Sequence, residues 1–168
     1  MPNLIFLGDY HFMSLFGGTI MKVIELSPDI LRGLQEHLAD IEERQSQIIE
    51  DFIIKNSDEH REYTAEFKNY LFCLRELVDK SKEVAGKDNA MPIITIGTLV
   101  TVMNVGNQRE FSFHIVGPNY NRKNSRDVSC LSPVGRALML KKVGDEVLVN
   151  APGGTFKYQI KSIDYIGE

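Results

Sequence analysis

Residues 131–166 read LSPVGRALMLKKVGDEVLVNAPGGTFKYQIKSIDYI. Ser132 followed by Pro133 reads as a helix start: a serine caps free N–H groups, and proline's fixed φ suits the first helical position. The helix so predicted is short and runs to about Leu140. Gly144-Asp145 opens a strand, and Pro152-Gly153-Gly154 is a turn into the last one. There Phe156, Tyr158 and Ile160 alternate with polar residues, the period-two pattern of a half-buried antiparallel strand.

Upstream of this stretch the same period holds. Val100 and Val102 flank Thr101, and Phe111, Phe113 and Ile115 flank Ser112 and His114. His114 is therefore expected on a strand's polar face. Together these elements predict a small α+β domain over 93–168, a twisted antiparallel sheet around one short helix. Ahead of it Gly86-Lys87-Asp88-Asn89 and Met91-Pro92 read as a linker over 86–92, because glycine ends helices and proline blocks their return.

Residues 27–85 have a different period. Ser27 is a good N-cap, Pro28 suits the first helical position, and Asp29 complements the helix dipole. Leu31, Leu34, Leu38, Ile41, Gln45, Ile48 and Phe52 then follow at alternating steps of three and four, a heptad seam. A second seam runs Tyr63, Phe67, Tyr70, Leu74, Leu77, Ser81, Val84. Lys55 to Arg61 between them lacks apolar residues and begins with turn formers. Two such helices joined by a short polar turn pack antiparallel. The result is a coiled-coil hairpin with arms of about 40 Å at 1.5 Å per residue. Gln45 and Ser81 are expected to set its register, and His37 to lie on its surface.

Composition narrows the function. The 168 residues are 43% hydrophobic and 25% charged, ordinary for one or two soluble domains. The net charge of −4 is uneven: 14 acidic against 8 basic residues in 27–84, but 9 basic against 6 acidic in 93–168. An acidic first half argues against wrapping a phosphate backbone. Cys73 and Cys130 fit no metal spacing and, beside apolar neighbours, read as buried thiols. His11, His37, His60 and His114 form no ligand set, with only His60 near the hairpin's tip. There is no phosphate loop, nucleophile elbow or zinc motif. Residues 1–26 form an N-terminal extension. Its first 20 residues lack Lys and Arg and are broken by Asp9 and His11, so they suit neither a signal peptide nor a membrane span. An upstream start, an unstructured tail or a packing segment all fit. A cytoplasmic location is expected.

Three pieces of the quoted stretch carry a resemblance: Ser132-Pro133 with Arg136-Ala137-Leu138, Gly144-Asp145, and Pro152-Gly153-Gly154 before a strand ending at Tyr165. In order and spacing they resemble the C-terminal domain of the Gre family of bacterial transcription elongation factors. Ile96–Val102 and Phe113–Gly117 are similar to that family's first two strands, and Glu62-Tyr63 with Phe72-Cys73 is similar to the hairpin's return arm in one branch. The likeness runs from about Ser27 to the C-terminus. It implies an FKBP-like domain that docks on the rim of the secondary channel of bacterial RNA polymerase. It also implies a hairpin whose tip enters that channel. RNA and DNA are then met only through the elongation complex. The factor is not itself an enzyme but stimulates the polymerase's own cleavage of backtracked RNA. Leu131, Ser132 and Pro133 fall where relatives contact polymerase. Helix capping by Ser132 and Pro133 is compatible with that role.

At the tip the family pattern is Gly-Asp, two residues, then Glu-Asn. Counting back from Tyr63, the Glu place falls on Glu59, the Asp place on Asn56 and the Asn place on His60. Asp58 is then the second carboxylate. Asp58 and Glu59 are the candidate catalytic pair and the candidate ligands for a magnesium ion shared with the polymerase; no cofactor of the chain's own is expected. One or two carboxylates are a common protein contribution to a magnesium site, and the second metal of a two-metal site activates water. The plain alternative is that both acids simply favour a helix start. The uncharged Asn56 keeps open a Gre-like channel binder that inhibits without stimulating cleavage, of the Gfh or Rnk kind. A remoter alternative is an FKBP-like prolyl isomerase. Leu131 and Leu140 also depart from the family, which often has Asp or Asn at the first place and Gly or Lys at the second.

Overall fold

Ser27 and Pro28 start the first helix as their chemistry dictates: the Ser27 hydroxyl accepts the Ile30 N–H at 3.4 Å. The computed structural model describes residues 23–53, 59–118, 120, 121 and 123–168. Most of the N-terminal extension and the tip residues Asn56 and Asp58 lie outside the described residues. Helix α1 covers Pro28–Ile53 and helix α2 covers Glu59–Asp79. They form the two arms of the hairpin, tied across by an Arg75–Glu42 ion pair with Nε–Oε1 at 3.1 Å.

The second seam ends earlier than its spacing predicts. Strand β2, Ser81–Glu83, pairs in parallel with strand β1, Ile24–Leu26. The Ser81 hydroxyl donates to the Leu77 carbonyl at 2.6 Å, and the Val84 N–H to the Leu26 carbonyl at 2.9 Å. Backbone partners supplied by β1 thus replace the helical ones, so Ser81 and Val84 are not helical seam residues. The residues expected to link the halves are also bound. The Met91 N–H donates to the Ile163 carbonyl at 2.9 Å, and Met91 is buried.

The second half is a five-stranded sheet in the order β5-β4-β3-β7-β6, made from β3 (Thr98–Asn104), β4 (Glu110–Val116), β5 (Asp127–Ser129), β6 (Glu146–Ala151) and β7 (Gly154–Tyr165). Its pairs are antiparallel except at one edge, where β5 runs parallel to β4. Pro152 and Gly153 make the two-residue turn between β6 and β7. Helix α3, Pro133–Leu138, is the one short helix. Phe111, Phe113, Phe156 and Tyr158 pack on one another, with ring centroids 6.0–6.4 Å apart.

The two halves share one core. Leu26, Ile30, Leu31, Leu34, Leu71, Leu74 and Leu77 from the first join Ile93, Ile94, Val100, Val102, Ile160 and Ile163 from the second in a single cluster. Gly33 permits the close approach of α1 to β7, because a Cβ there would lie 2.8 Å from the Tyr165 hydroxyl. Tyr70 links three segments. Its oxygen accepts the Ile96 N–H at 3.2 Å and lies 2.9 Å from His37 Nε2. His37 is therefore not a free surface group; burial lowers its pKa, which favours a neutral ring that accepts from the Tyr70 hydroxyl.

Candidate partner-docking site

Leu131, Ser132 and Pro133 form the corner between β5 and α3. The Ser132 hydroxyl accepts the Gly135 N–H at 3.1 Å and donates to the Ser129 carbonyl at 2.8 Å. Its one proton is committed to the Ser129 carbonyl, and Pro133, which is exposed, is what the corner presents. Leu131 and Ser132 are half-buried beneath it. The corner is rigid because α3 presses its backbone onto the chain below. A Cβ on Gly135 would lie 2.1 Å from the Ser129 carbonyl oxygen. Gly135 is thus a site-building residue to which the sequence reading gave no role.

After α3 the chain turns at Leu140, whose φ is 63°. That left-handed conformation favours glycine. It explains why Leu140 looks out of place beside relatives with Gly there. The position is held by paired bonds: Leu140 N–H to the Ile94 carbonyl and Ile94 N–H to the Lys141 carbonyl, each 2.9 Å.

Arg136 reaches from α3 to the hairpin. Its Nε and Nη2 donate to the two carboxylate oxygens of Glu66 at 3.0 and 2.7 Å, and Nη2 lies 2.8 Å from Glu62 Oε1. The guanidinium also covers the Tyr63 ring at 4.7 Å. The Glu66 hydrogen bond and the neighbouring charges raise the Arg136 pKa further, against the opposing effect of burial. The contact lies near the far end of α2, whose first residue, Glu59, is three residues beyond Glu62, about 5 Å of helix. The body therefore braces the hairpin along much of its length. Arg136 belongs to the motif quoted above, but its partners could not be read from local spacing.

The candidate tip pair is not brought into view. Glu59 opens α2, but its side chain lies outside the described residues, as does Asp58. Among the described residues no group of three or more His, Cys, Asp or Glu is placed to hold a metal ion. Nor is any described helix long and apolar enough to cross a membrane.

His114 corrects an expectation. It is buried rather than on a polar face, because β5 covers it and sets Asp127 directly opposite. Its Nδ1 is 3.0 Å from Asp127 Oδ1 and its Nε2 is 2.8 Å from the Gly167 carbonyl oxygen. Oxygens thus flank the ring on both sides and fix its orientation. Burial works to raise the Asp127 pKa. The His114 hydrogen bond, the N–H groups of Lys123 and Asn124 and the His114 charge outweigh it, leaving a value of about 2. This cluster fastens the C-terminal residues to the sheet. The two thiols are inert: burial raises Cys73 to about 11 and Cys130 to about 12.

The family described as transcription elongation factor GreA/GreB, C-terminal, matches residues 89–165. Over these residues the chain is similar to the C-terminal domain of the Gre factors. That match covers the sheet and α3, including the candidate docking corner, and stops short of the hairpin. The transcription elongation factor GreA of Thermodesulfovibrio yellowstonii is 39% identical over 72 residues, 43% of this chain and 46% of the relative. The GreA of Ruthia magnifica subsp. Calyptogena magnifica is 35% identical over 96 residues, covering 51% of this chain and 61% of the relative. The chain thus spans about half the length of the curated relatives it matches. A solved GreA/GreB factor from Nitrosomonas europaea covers 84% of this chain and 99% of its own, with a TM-score of 0.50 and 20% identity. That likeness extends the shared Gre fold to the hairpin.

Proposed function

We propose that this chain is a Gre-family transcription elongation factor that docks through Leu131, Ser132 and Pro133 on the rim of the secondary channel of bacterial RNA polymerase. The hairpin enters the channel. Asp58 and Glu59 at its tip lend carboxylates to a magnesium ion held by the polymerase, and the polymerase's own cleavage of backtracked RNA is stimulated. The chain performs no chemistry alone, and it meets nucleic acid only through the elongation complex, in the cytoplasm. The observation that carries this reading is that the family match falls on the folded unit holding the docking corner, and that this unit is packed against an antiparallel hairpin.

A second reading is a channel-binding regulator that blocks without cleaving. One observation favours it. The Asp place of the tip pattern is Asn56, which carries no charge. Transcript cleavage on a stalled, backtracked complex with the matching polymerase separates the two. Faster cleavage supports the first reading, and occupancy that inhibits without cleavage supports the second. Neither outcome, with no binding, rejects both. Peptide prolyl isomerisation is not expected in the parallel assay.

A further inference from the structure

The base of the hairpin and its far end are attached to the body by different chemistry. At the base the attachment is apolar and buried, through Leu31, Leu34, Leu74 and Leu77 in the shared core. Toward the tip it is one cation on two carboxylates and a ring. A rod held only at its base can swing, and a second anchor far from the first removes that freedom. Arg136 is that second anchor. It also sits on the helix whose first residue is Pro133, three residues away, so it ties the direction of the arm to the docking corner itself.

We propose that Arg136 is a positioning residue: by clasping Glu62, Glu66 and Tyr63 it sets the angle of the hairpin relative to the docking helix, and so where the tip points once the corner has docked. This rests on the function proposed above and adds the residue that aims the tip. A planar guanidinium suits the task because it grips a carboxylate with two parallel bonds while its face stacks on an aromatic ring. A lysine could supply the charge but not the fork.

The test uses the full-length protein with spin labels at Gln47→Cys on α1 and Lys161→Cys on β7, both exposed positions. Dipolar distance measurement without polymerase is expected to give one narrow distribution in the parent. Arg136→Ala and the arm-side pair Glu62→Gln, Glu66→Gln should broaden or shift it. Arg136→Lys should restore it only in part, and the swap Arg136→Glu with Glu62→Arg and Glu66→Arg more fully. With polymerase, the two loss variants should keep affinity within about threefold, because Ser132 and Pro133 are intact. They should lose the tip's effect, cleavage or block, by roughly tenfold or more, since small misplacements of reacting groups are costly. Unchanged distributions in both loss variants would overturn the proposal. So would changed distributions with a full tip effect. The arm-side pair guards against a folding defect in Arg136→Ala, because Glu62 is exposed and Glu66 only half-buried. If the parent itself has no effect on polymerase, the functional reading fails and the aiming role with it. The polymerase-free distances then still decide whether Arg136 holds the arm.

Discussion

The two ends of the hairpin follow one heptad rule yet are stabilised differently. Near the body, Leu34, Leu74 and Leu77 are fully buried, at 0% exposure. Farther out, Gln45, Ile48 and Phe67 occupy equivalent seam positions and remain half-exposed. A two-helix seam alone covers its apolar stripe from one side. Only where the sheet domain supplies a third layer does burial become complete. The stability of the arm thus resides at its base. Its far end is held by a polar clasp, which fixes the direction of the arm.

The largest expected contrast is between two deletions in this seam. Leu74→Ala should lose about 2–5 kcal/mol in urea unfolding, the range for a fully buried leucine. Ile48→Ala should lose about 1 kcal/mol or less, since its side chain is already partly in water. Equal losses would erase the distinction between base and far end. Next in size, Gly135→Ala forces a Cβ onto the Ser129 carbonyl and should cost about 1–3 kcal/mol in the same experiment. The docking corner should shift with it, and polymerase affinity should fall.

The corner itself should separate stability from binding. Ser132→Ala removes a cap and should cost about 1 kcal/mol. Pro133→Ala should leave the urea midpoint nearly unchanged and lower polymerase affinity roughly tenfold. A hairpin excised from the chain that binds polymerase as well as the whole protein would place docking elsewhere.

A smaller effect concerns pH. The Asp127 carboxyl has its pKa depressed from 3.8 to about 2 by folding. Between those values the unfolded chain binds more protons, so stability falls as pH falls. The contribution is full above pH 4 and lost as pH drops through about 2. In Asp127→Asn the urea midpoint should therefore fall less steeply across that window than in the parent.

Much of this was legible in sequence wherever period alone decides the outcome. The heptad seams placed both helices, and alternation at Val100, Phe111 and Tyr158 placed the long strands. Ser132-Pro133 marked the start of α3. What escaped depends on partners distant in the chain. Ser81-Lys82-Glu83 is polar and too short to show a period, and becomes a strand only because Ile24–Leu26 lies beside it. His114 reads as surface until the parallel strand β5 covers it. Arg136 is quoted within its motif, yet its meaning lies on Glu62 and Glu66 in the other half of the chain.

The claim most in need of a direct measurement is that the tip, delivered by a docked and braced arm, acts on polymerase. The double variant Asp58→Ala, Glu59→Ala should be measured beside the parent for polymerase affinity, for transcript cleavage on a backtracked complex and for inhibition of elongation. The account predicts affinity within about threefold of the parent and loss of whichever effect the parent shows. A double variant indistinguishable from the parent in binding, cleavage and inhibition would contradict channel insertion for this protein.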